Sequence, residues 1–174
     1  MPRQLEDAVD RITGQWNSVR PDLDVSPITV IGRISRLSRL IDRRLAENFG
    51  RFGIENWMYD VLATLYRSGS PHELTAGELV AQSMVTTGAI TNRIDRLEQR
   101  GLVERATAND RRKVIVRLTE AGVRVVEEVA VAHLATEREI LAALSQRQQH
   151  DLVRLLRTTL LALGDHAEPG AVHP

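Results

Sequence analysis

The sequence predicts a mainly α-helical fold that contains one small β-hairpin. Apolar residues recur at intervals of three and four along most of the 174 residues, which is the period of an amphipathic helix. Two short segments instead alternate apolar and polar residues, and they flank a charged stretch at residues 109–113. Turn residues such as Pro71 and Gly101 separate the segments, so the elements follow one another with short connections.

The composition is typical of a globular protein without membrane-spanning segments or disulfides. Hydrophobic residues make up 43% of the chain and charged residues 26%, which is typical of a globular protein rather than a disordered one. No apolar run approaches the ~20 residues that cross a bilayer, and the N-terminus lacks the apolar core of a signal peptide. We therefore expect a cytoplasmic protein without membrane contact. The chain has no cysteine, which excludes disulfides, thiol redox sensing and zinc ribbons.

Two helices are predicted in the first 50 residues. The first spans Leu5–Ser18, and the second spans Ile28–Asn48 after a break at Arg20–Pro27. Ser26 is the expected N-cap of the second helix, because its hydroxyl can accept a hydrogen bond from a backbone N–H group. The arginines on the other faces of this helix are more typical of a solvated face than of a nucleic-acid site.

Three further helices are predicted outside the hairpin region. They span Glu55–Tyr66, Thr119–Leu141 and Ser145–Leu163, and residues 165–174 are expected to form a frayed tail. Long amphipathic helices at both ends of the chain are most simply explained by burial against a partner chain. A homodimer is the expected arrangement, because most oligomers of one chain are symmetric dimers.

Residues 74–118 carry the most informative pattern. A short helix opens at Thr75, and a longer one spans Thr86–Arg100 after a tight turn. Strands follow at Gly101–Arg105 and Val114–Leu118, on either side of the charged tip. Two helices followed by a hairpin predict a winged helix-turn-helix that binds DNA.

The longer helix and the hairpin tip supply the candidate DNA contacts. Short polar side chains can contact bases or phosphates, asparagine can pair with adenine, and arginine can enter the minor groove. The predicted DNA-binding residues are Thr86, Thr87, Gly88, Thr91, Asn92, Arg96, Asp110, Arg111, Arg112 and Lys113. An ordinary amphipathic helix and a solvated turn are the alternatives. The formal net charge of +0 weakens the prediction without defeating it, because phosphate binding depends on local charge.

The sequence resembles the MarR family of winged-helix regulators over about residues 26–163. The strongest stretches are Thr87–Leu97, Gly101–Val103 and Asp110–Gly122. Asp110 and Arg112 match the Asp-x-Arg pattern of the family's wing. The resemblance implies a homodimer on palindromic operator DNA that is released by a small ligand, with repression as the common mode.

The expected organisation follows from this resemblance. We expect a single MarR-like domain over residues 1–174. Its parts are dimerisation helices at 5–49 and 119–163, a winged helix-turn-helix region at 54–118 and a flexible tail at 165–174.

Three charged residues lie among apolar neighbours. Asp60 is flanked by apolar residues in the third helix, Arg93 lies beside the inward face of the longer reading helix, and Arg105 alternates with Glu104 and so shares the face of Val103. Buried charges are costly unless they are paired. We therefore expect Asp60 to pair with one arginine and the other arginine to have room for an anion. Ordinary intramolecular ion pairs are the alternative.

These positions also resemble the urate-responsive branch of the MarR family. That branch uses a tryptophan of the N-terminal helix, an aspartate before the reading unit, and two arginines in and after the reading helix. Trp16, Asp60, Arg93 and Arg105 stand at the matching places. The resemblance implies that urate or a similar planar anion binds among them and shifts the reading helix. An aromatic carboxylate or a small dicarboxylate could use the same arginines.

No enzymatic activity, cofactor or metal is expected. The sequence contains no Gly-rich phosphate loop and no Ser/His/Asp arrangement, and its five histidines are scattered. A winged helix that binds other proteins and has no DNA affinity is the alternative from another class.

Overall fold

The computed structural model describes residues 6–83, 90–107 and 114–166. Its elements in chain order are α1 (Ala8–Val19), α2 (Ser26–Gly50), α3 (Asn56–Arg67), β1 (Glu73–Thr75), α4 (Ala76–Gln82), α5 (Ile90–Gln99), β2 (Val103–Thr107), β3 (Val114–Leu118), α6 (Glu120–Leu141) and α7 (Gln146–Ala162). The predicted winged helix-turn-helix with flanking helices is confirmed. Within the described ranges, no helix is long and apolar enough to cross a membrane.

Side-chain caps explain where the helices begin. Thr75 starts α4 with a capping box, in which its hydroxyl accepts from the Glu78 backbone N–H and the Glu78 carboxylate accepts from the Thr75 backbone N–H. The prediction of Ser26 as the N-cap of α2 is wrong. Val25 occupies that position and Ser26 is already helical, because Pro27 suits the first turn of a helix.

The three strands form an antiparallel sheet in the order β1-β3-β2. Glu73 of β1 lies opposite Arg117 of β3, and Leu118 of β3 lies opposite Val103 of β2. The sequence did not predict β1, because three residues are too few to show an alternating pattern. Val116, in the middle of the central strand, is completely buried.

The hydrophobic core lies between this sheet and the helices of the winged region. Leu62 of α3, Leu79 of α4 and Leu97 of α5 have no exposed surface. The first turn of α6 closes the core from the other end, where a Cβ atom on Gly122 would lie 2.1 Å from the carbonyl oxygen of Leu102. Glycine at this position therefore permits the helix to approach the turn between α5 and β2.

The chain divides into two compact units, Met1–His133 and Leu134–Pro174. Each unit exposes large apolar side chains on its long helices. In the first unit these include Trp16, Val19, Val30, Ile31, Ile34, Leu37 and Leu40 of α1 and α2. In the second unit they include Val153, Leu155, Leu156, Leu160 and Leu161 of α7. The single-domain organisation stays a prediction, and residues 167–174 of the expected tail lie outside the described residues.

Candidate nucleic-acid interface

The described part of α5 presents two of the predicted DNA-binding residues to solvent. Thr91 and Asn92 are exposed in its first turn, whereas Ile90, Ile94 and Leu97 are buried on the opposite face. This amphipathic pattern fixes the helix on the core and leaves short polar groups outward. The predicted contacts Thr86, Thr87, Gly88, Asp110, Arg111, Arg112 and Lys113 lie outside the described residues.

Arg96, another predicted DNA contact, turns toward the start of α3. Its Nη2 donates to Glu55 Oε1 at 2.7 Å, and its Cζ lies 4.8 Å from the centroid of the Trp57 ring. The indole Nε1 of Trp57 donates to the other carboxylate oxygen of Glu55 at 2.9 Å. The hydrogen bond from Trp57, and after it the one from Arg96, hold the pKa of Glu55 below its ordinary value. The carboxylate is therefore ionised at neutral pH.

Two more arginines lie on the same flank of α5, because positions 93, 96 and 100 share one face of a helix. Arg93 is half-buried, with its Cζ 5.6 Å from the centroid of the Trp57 ring. Its Nη1 is buried and has no hydrogen-bond partner among the described residues. Arg100 donates to the carbonyl of Gly53 at 2.9 Å. This arginine flank therefore contacts residues at and just before the start of α3, while Arg96 and Arg100 also remain exposed.

The other flank of α5 is acidic and holds β2. Asp95 and Glu98 each form an ion pair with Arg105, whose backbone N–H also donates to Glu98 Oε1 at 3.3 Å. The hydrogen bond to Asp95 is the largest cause that raises the pKa of Arg105 above its ordinary value. Arg105 was predicted to share the inward face of Val103 as a buried or half-buried charge, and its side chain is 33% exposed. Its guanidinium is satisfied at the surface, because two carboxylates of α5 lie beside it.

The predicted ligand residues differ in their surroundings: Arg105, for example, forms ion pairs with Asp95 and Glu98. Asp60 is half-buried on α3 and has interactions of its own, and its predicted ion pair with Arg93 or Arg105 stays a prediction. Trp16 is 43% exposed on α1. In this set, Arg93 has a buried N–H group that could still donate a hydrogen bond to a ligand.

Two open cavities lie elsewhere on the surface. One of about 320 Å³ is bounded by α1 and α2, with Asp7, Arg33 and Leu37 in its wall. The other, of about 640 Å³, lies at the end of α2 and includes Glu55. Neither contains a predicted ligand residue. Across the ranges 6–83, 90–107 and 114–166, no cluster of three or more metal-ligating side chains is present.

Sequence reasoning missed four residues that position α5. Glu55 and Trp57 contact its arginine flank, and Asp95 and Glu98 form its acidic flank. The acidic pair had a local signal, since residues three apart share a helix face and the arginine partner follows soon after on β2. Glu55 had no such signal, because it lies 41 positions from Arg96.

Known proteins share this arrangement of elements. Residues 52–113 match the model of a family described as the MarR family. The chain is 40% identical over 157 residues to the HTH-type transcriptional regulator PecS of Dickeya dadantii, with 90% of this chain and 93% of that protein covered.

Two solved structures of MarR proteins are similar to this chain in fold. A mutant MarR from E. coli complexed with operator DNA has a TM-score of 0.68 and 28% identity, covering 83% of this chain and 97% of that one. AbsC, a MarR family transcriptional regulator from Streptomyces coelicolor, has a TM-score of 0.75 and 23% identity, covering 83% and 98%.

Proposed function

This chain belongs to the MarR family of transcriptional regulators, and we propose that it is a ligand-responsive repressor that binds palindromic operator DNA as a homodimer. The observation that carries the proposal is the surface of α5. Thr91 and Asn92 face solvent, while the charged residues on both flanks of the helix are occupied by contacts within the protein. A 28% identical relative has been solved with operator DNA on the same fold.

The proposed DNA contacts fall into two groups. On the reading helix, Asn92 pairs with adenine, Thr91 contacts base edges or phosphates, and residues 86–88 place backbone N–H groups near a phosphate. At the tip of the wing, Arg111, Arg112 and Lys113 contact the minor groove and phosphates, with Asp110 holding an arginine in place. Arg96 reaches DNA only if its contacts with Glu55 and Trp57 break.

The exposed apolar helices support the homodimer. Large apolar side chains on α2 and α7 leave more hydrophobic surface in water than a monomer needs. A second copy would cover this surface. The two copies would then place their α5 helices on two half-sites of the operator. Because the dimer is two-fold symmetric, the operator would be palindromic.

Urate or a similar planar anion is the proposed ligand, with Trp16, Asp60, Arg93 and Arg105 as its contacts. The buried, unpartnered Nη1 of Arg93 supports this choice, since an unsatisfied buried donor favours an acceptor from a ligand. Because Arg93 belongs to α5, a ligand that draws its guanidinium aside would shift that helix away from its DNA-competent position. An aromatic carboxylate or a small dicarboxylate is the second candidate, and it would use the same arginines, Arg93 and Arg105.

DNA binding is tested by fluorescence anisotropy with a duplex taken from upstream of the protein's own gene. Arg112→Ala should weaken binding and reduce the slope of log K against log salt by about 0.9, the value for one lost phosphate contact. Arg20→Ala is the matched control, because α2 (25 residues, about 37 Å) lies between it and the winged region. Absence of any binding by the wild type would favour the protein-interaction alternative.

Ligand binding is tested by calorimetric titration with urate, salicylate and succinate. Arg93→Gln should abolish the heat of urate binding and the release of DNA by urate, whereas Arg147→Gln, at an exposed position of α7, should retain both. A heat signal with salicylate or succinate alone would replace urate by the second candidate. No heat with millimolar urate, together with unchanged DNA binding, contradicts the urate proposal and leaves DNA binding intact.

A further inference from the structure

The fixed position of Arg96 is unexpected for an exposed arginine on a DNA-reading helix. It lies one helical turn after Asn92 on α5, and its side chain is 48% exposed. A free guanidinium at this place would lie near the phosphates that border the contacted bases. Such a contact strengthens binding to every sequence equally, because phosphates carry no sequence information.

Two groups hold this guanidinium at once. The Glu55 carboxylate accepts its hydrogen bond at 2.7 Å, and the Trp57 ring lies 4.8 Å from its Cζ. The carboxylate is itself oriented by the indole Nε1 of Trp57 at 2.9 Å. Glu55 therefore accepts hydrogen bonds from both other side chains, and the Trp57 ring lies against the guanidinium of Arg96.

We propose that Glu55 and Trp57 are positioning residues that withhold Arg96 from the DNA backbone and so limit the sequence-independent part of DNA binding. This inference rests on the proposed DNA-binding function. The carboxylate cancels the positive charge of Arg96, and the indole fixes both groups at the start of α3. Sequence-specific contacts from Thr91 and Asn92 then form a larger share of the total affinity.

The test measures affinity for a duplex of unrelated sequence over a range of salt concentrations. Glu55→Gln keeps the size of the side chain and removes its charge, so Arg96 is released. We expect binding to tighten by at most about fivefold, since surface ion pairs are weak. The salt slope should become steeper by about 0.9, the value of one added phosphate contact. Trp57→Phe, which keeps a ring but loses the hydrogen bond to Glu55, should act in the same direction with a smaller change.

A double-mutant cycle separates release of Arg96 from a general effect of charge. Arg96→Ala alone should leave the salt slope unchanged, and in the Glu55→Gln background it should return the slope to the wild-type value. A steeper slope that persists without Arg96 overturns the proposal. A shallower slope in Arg96→Ala alone also overturns it, because Arg96 would then already contact phosphate.

The failure of this inference is distinct from failure of DNA binding itself. If the wild type binds DNA and Glu55→Gln has the wild-type slope, the inference is overturned and the proposed function stands. If the wild type binds no duplex, both are overturned. Far-ultraviolet circular dichroism of each variant confirms that the comparison is made between folded proteins.

Discussion

The winged region and the helices that flank it bury their apolar residues to different extents. Leu62 and Leu97 in the winged region have no exposed surface, whereas Leu40 of α2 and Leu155 of α7 are each 55% exposed. The winged region thus buries most of its apolar side chains within one chain, whereas one face of α2 and one face of α7 leave large apolar side chains exposed. The difference is consistent with the proposed homodimer, in which a second copy would cover the exposed apolar side chains.

The largest expected effect comes from the core of the winged region. Leu62→Ala should lower the free energy of unfolding by about 2–5 kcal/mol, because it removes a fully buried side chain and leaves a cavity. Urea unfolding measures the change. Arg147→Ala, at an exposed position of α7, is the control and should cost less than about 0.5 kcal/mol. Equal decreases in the free energy of unfolding of the two variants would contradict the difference in burial between the two regions.

The next effect is expected in dimer formation. Leu160→Gln should weaken the homodimer by about 1.5–3 kcal/mol, roughly tenfold or more, if this exposed side chain is buried by a second copy. Sedimentation equilibrium measures the dissociation constant. Arg147→Gln, another exposed position of α7, should leave it unchanged. A wild-type protein that sediments as a monomer at all concentrations would contradict the homodimer.

Two Gly→Ala substitutions should change the stability of the protein in opposite directions. Gly122→Ala should destabilise the winged region by about 1–3 kcal/mol, because the new Cβ would lie 2.1 Å from the Leu102 carbonyl oxygen. Gly14→Ala, in α1 with no atom within 4 Å of the new Cβ, should stabilise the protein by about 0.4–1 kcal/mol. Thermal unfolding of both variants is the measurement. Two changes of the same sign would contradict this account of the packing.

The smallest expected effect is on the pH dependence of folding stability. The pKa of Glu55 lies below its ordinary value, mainly through the Trp57 hydrogen bond, so its stabilisation is fully present above the ordinary pKa. It is lost as the pH falls through the lower pKa of the folded state. Stability should therefore fall less steeply in Glu55→Gln than in the wild type between neutral pH and about pH 3, although the 53% exposure of Glu55 keeps the difference small. Parallel melting curves would count against it.

Local patterns predicted most of the fold. The bounds of β3 were predicted exactly from its alternation, and Thr75 was correctly placed where α4 opens. β1 was missed because it exists only through pairing with β3, and pairing partners 40 or more residues apart leave no local trace. The start of α2 was misplaced by one residue: Pro27 lies in the first turn, so Val25 and not Ser26 is the N-cap.

The candidate site was less predictable, because it depends on which charges meet. Alternation placed Arg105 on the side of Val103, but only the folded chain reveals that surface carboxylates satisfy it. Periodicity placed Arg96 outside the core, yet it does not reveal that Glu55 receives it. Surface partners are set by tertiary geometry, which one sequence does not encode in a readable pattern.

The contact of Trp57 with α5 has a spectroscopic consequence. The chain contains two tryptophans, and Trp57 sits between a carboxylate and two guanidinium groups of the reading helix. After Trp16→Phe, its indole would be the sole tryptophan fluorophore. Indole emission responds to nearby charge, so a displacement of α5 would change the wavelength and intensity of the Trp57 emission. The intrinsic fluorescence of this variant would therefore report movement of α5 without an attached dye.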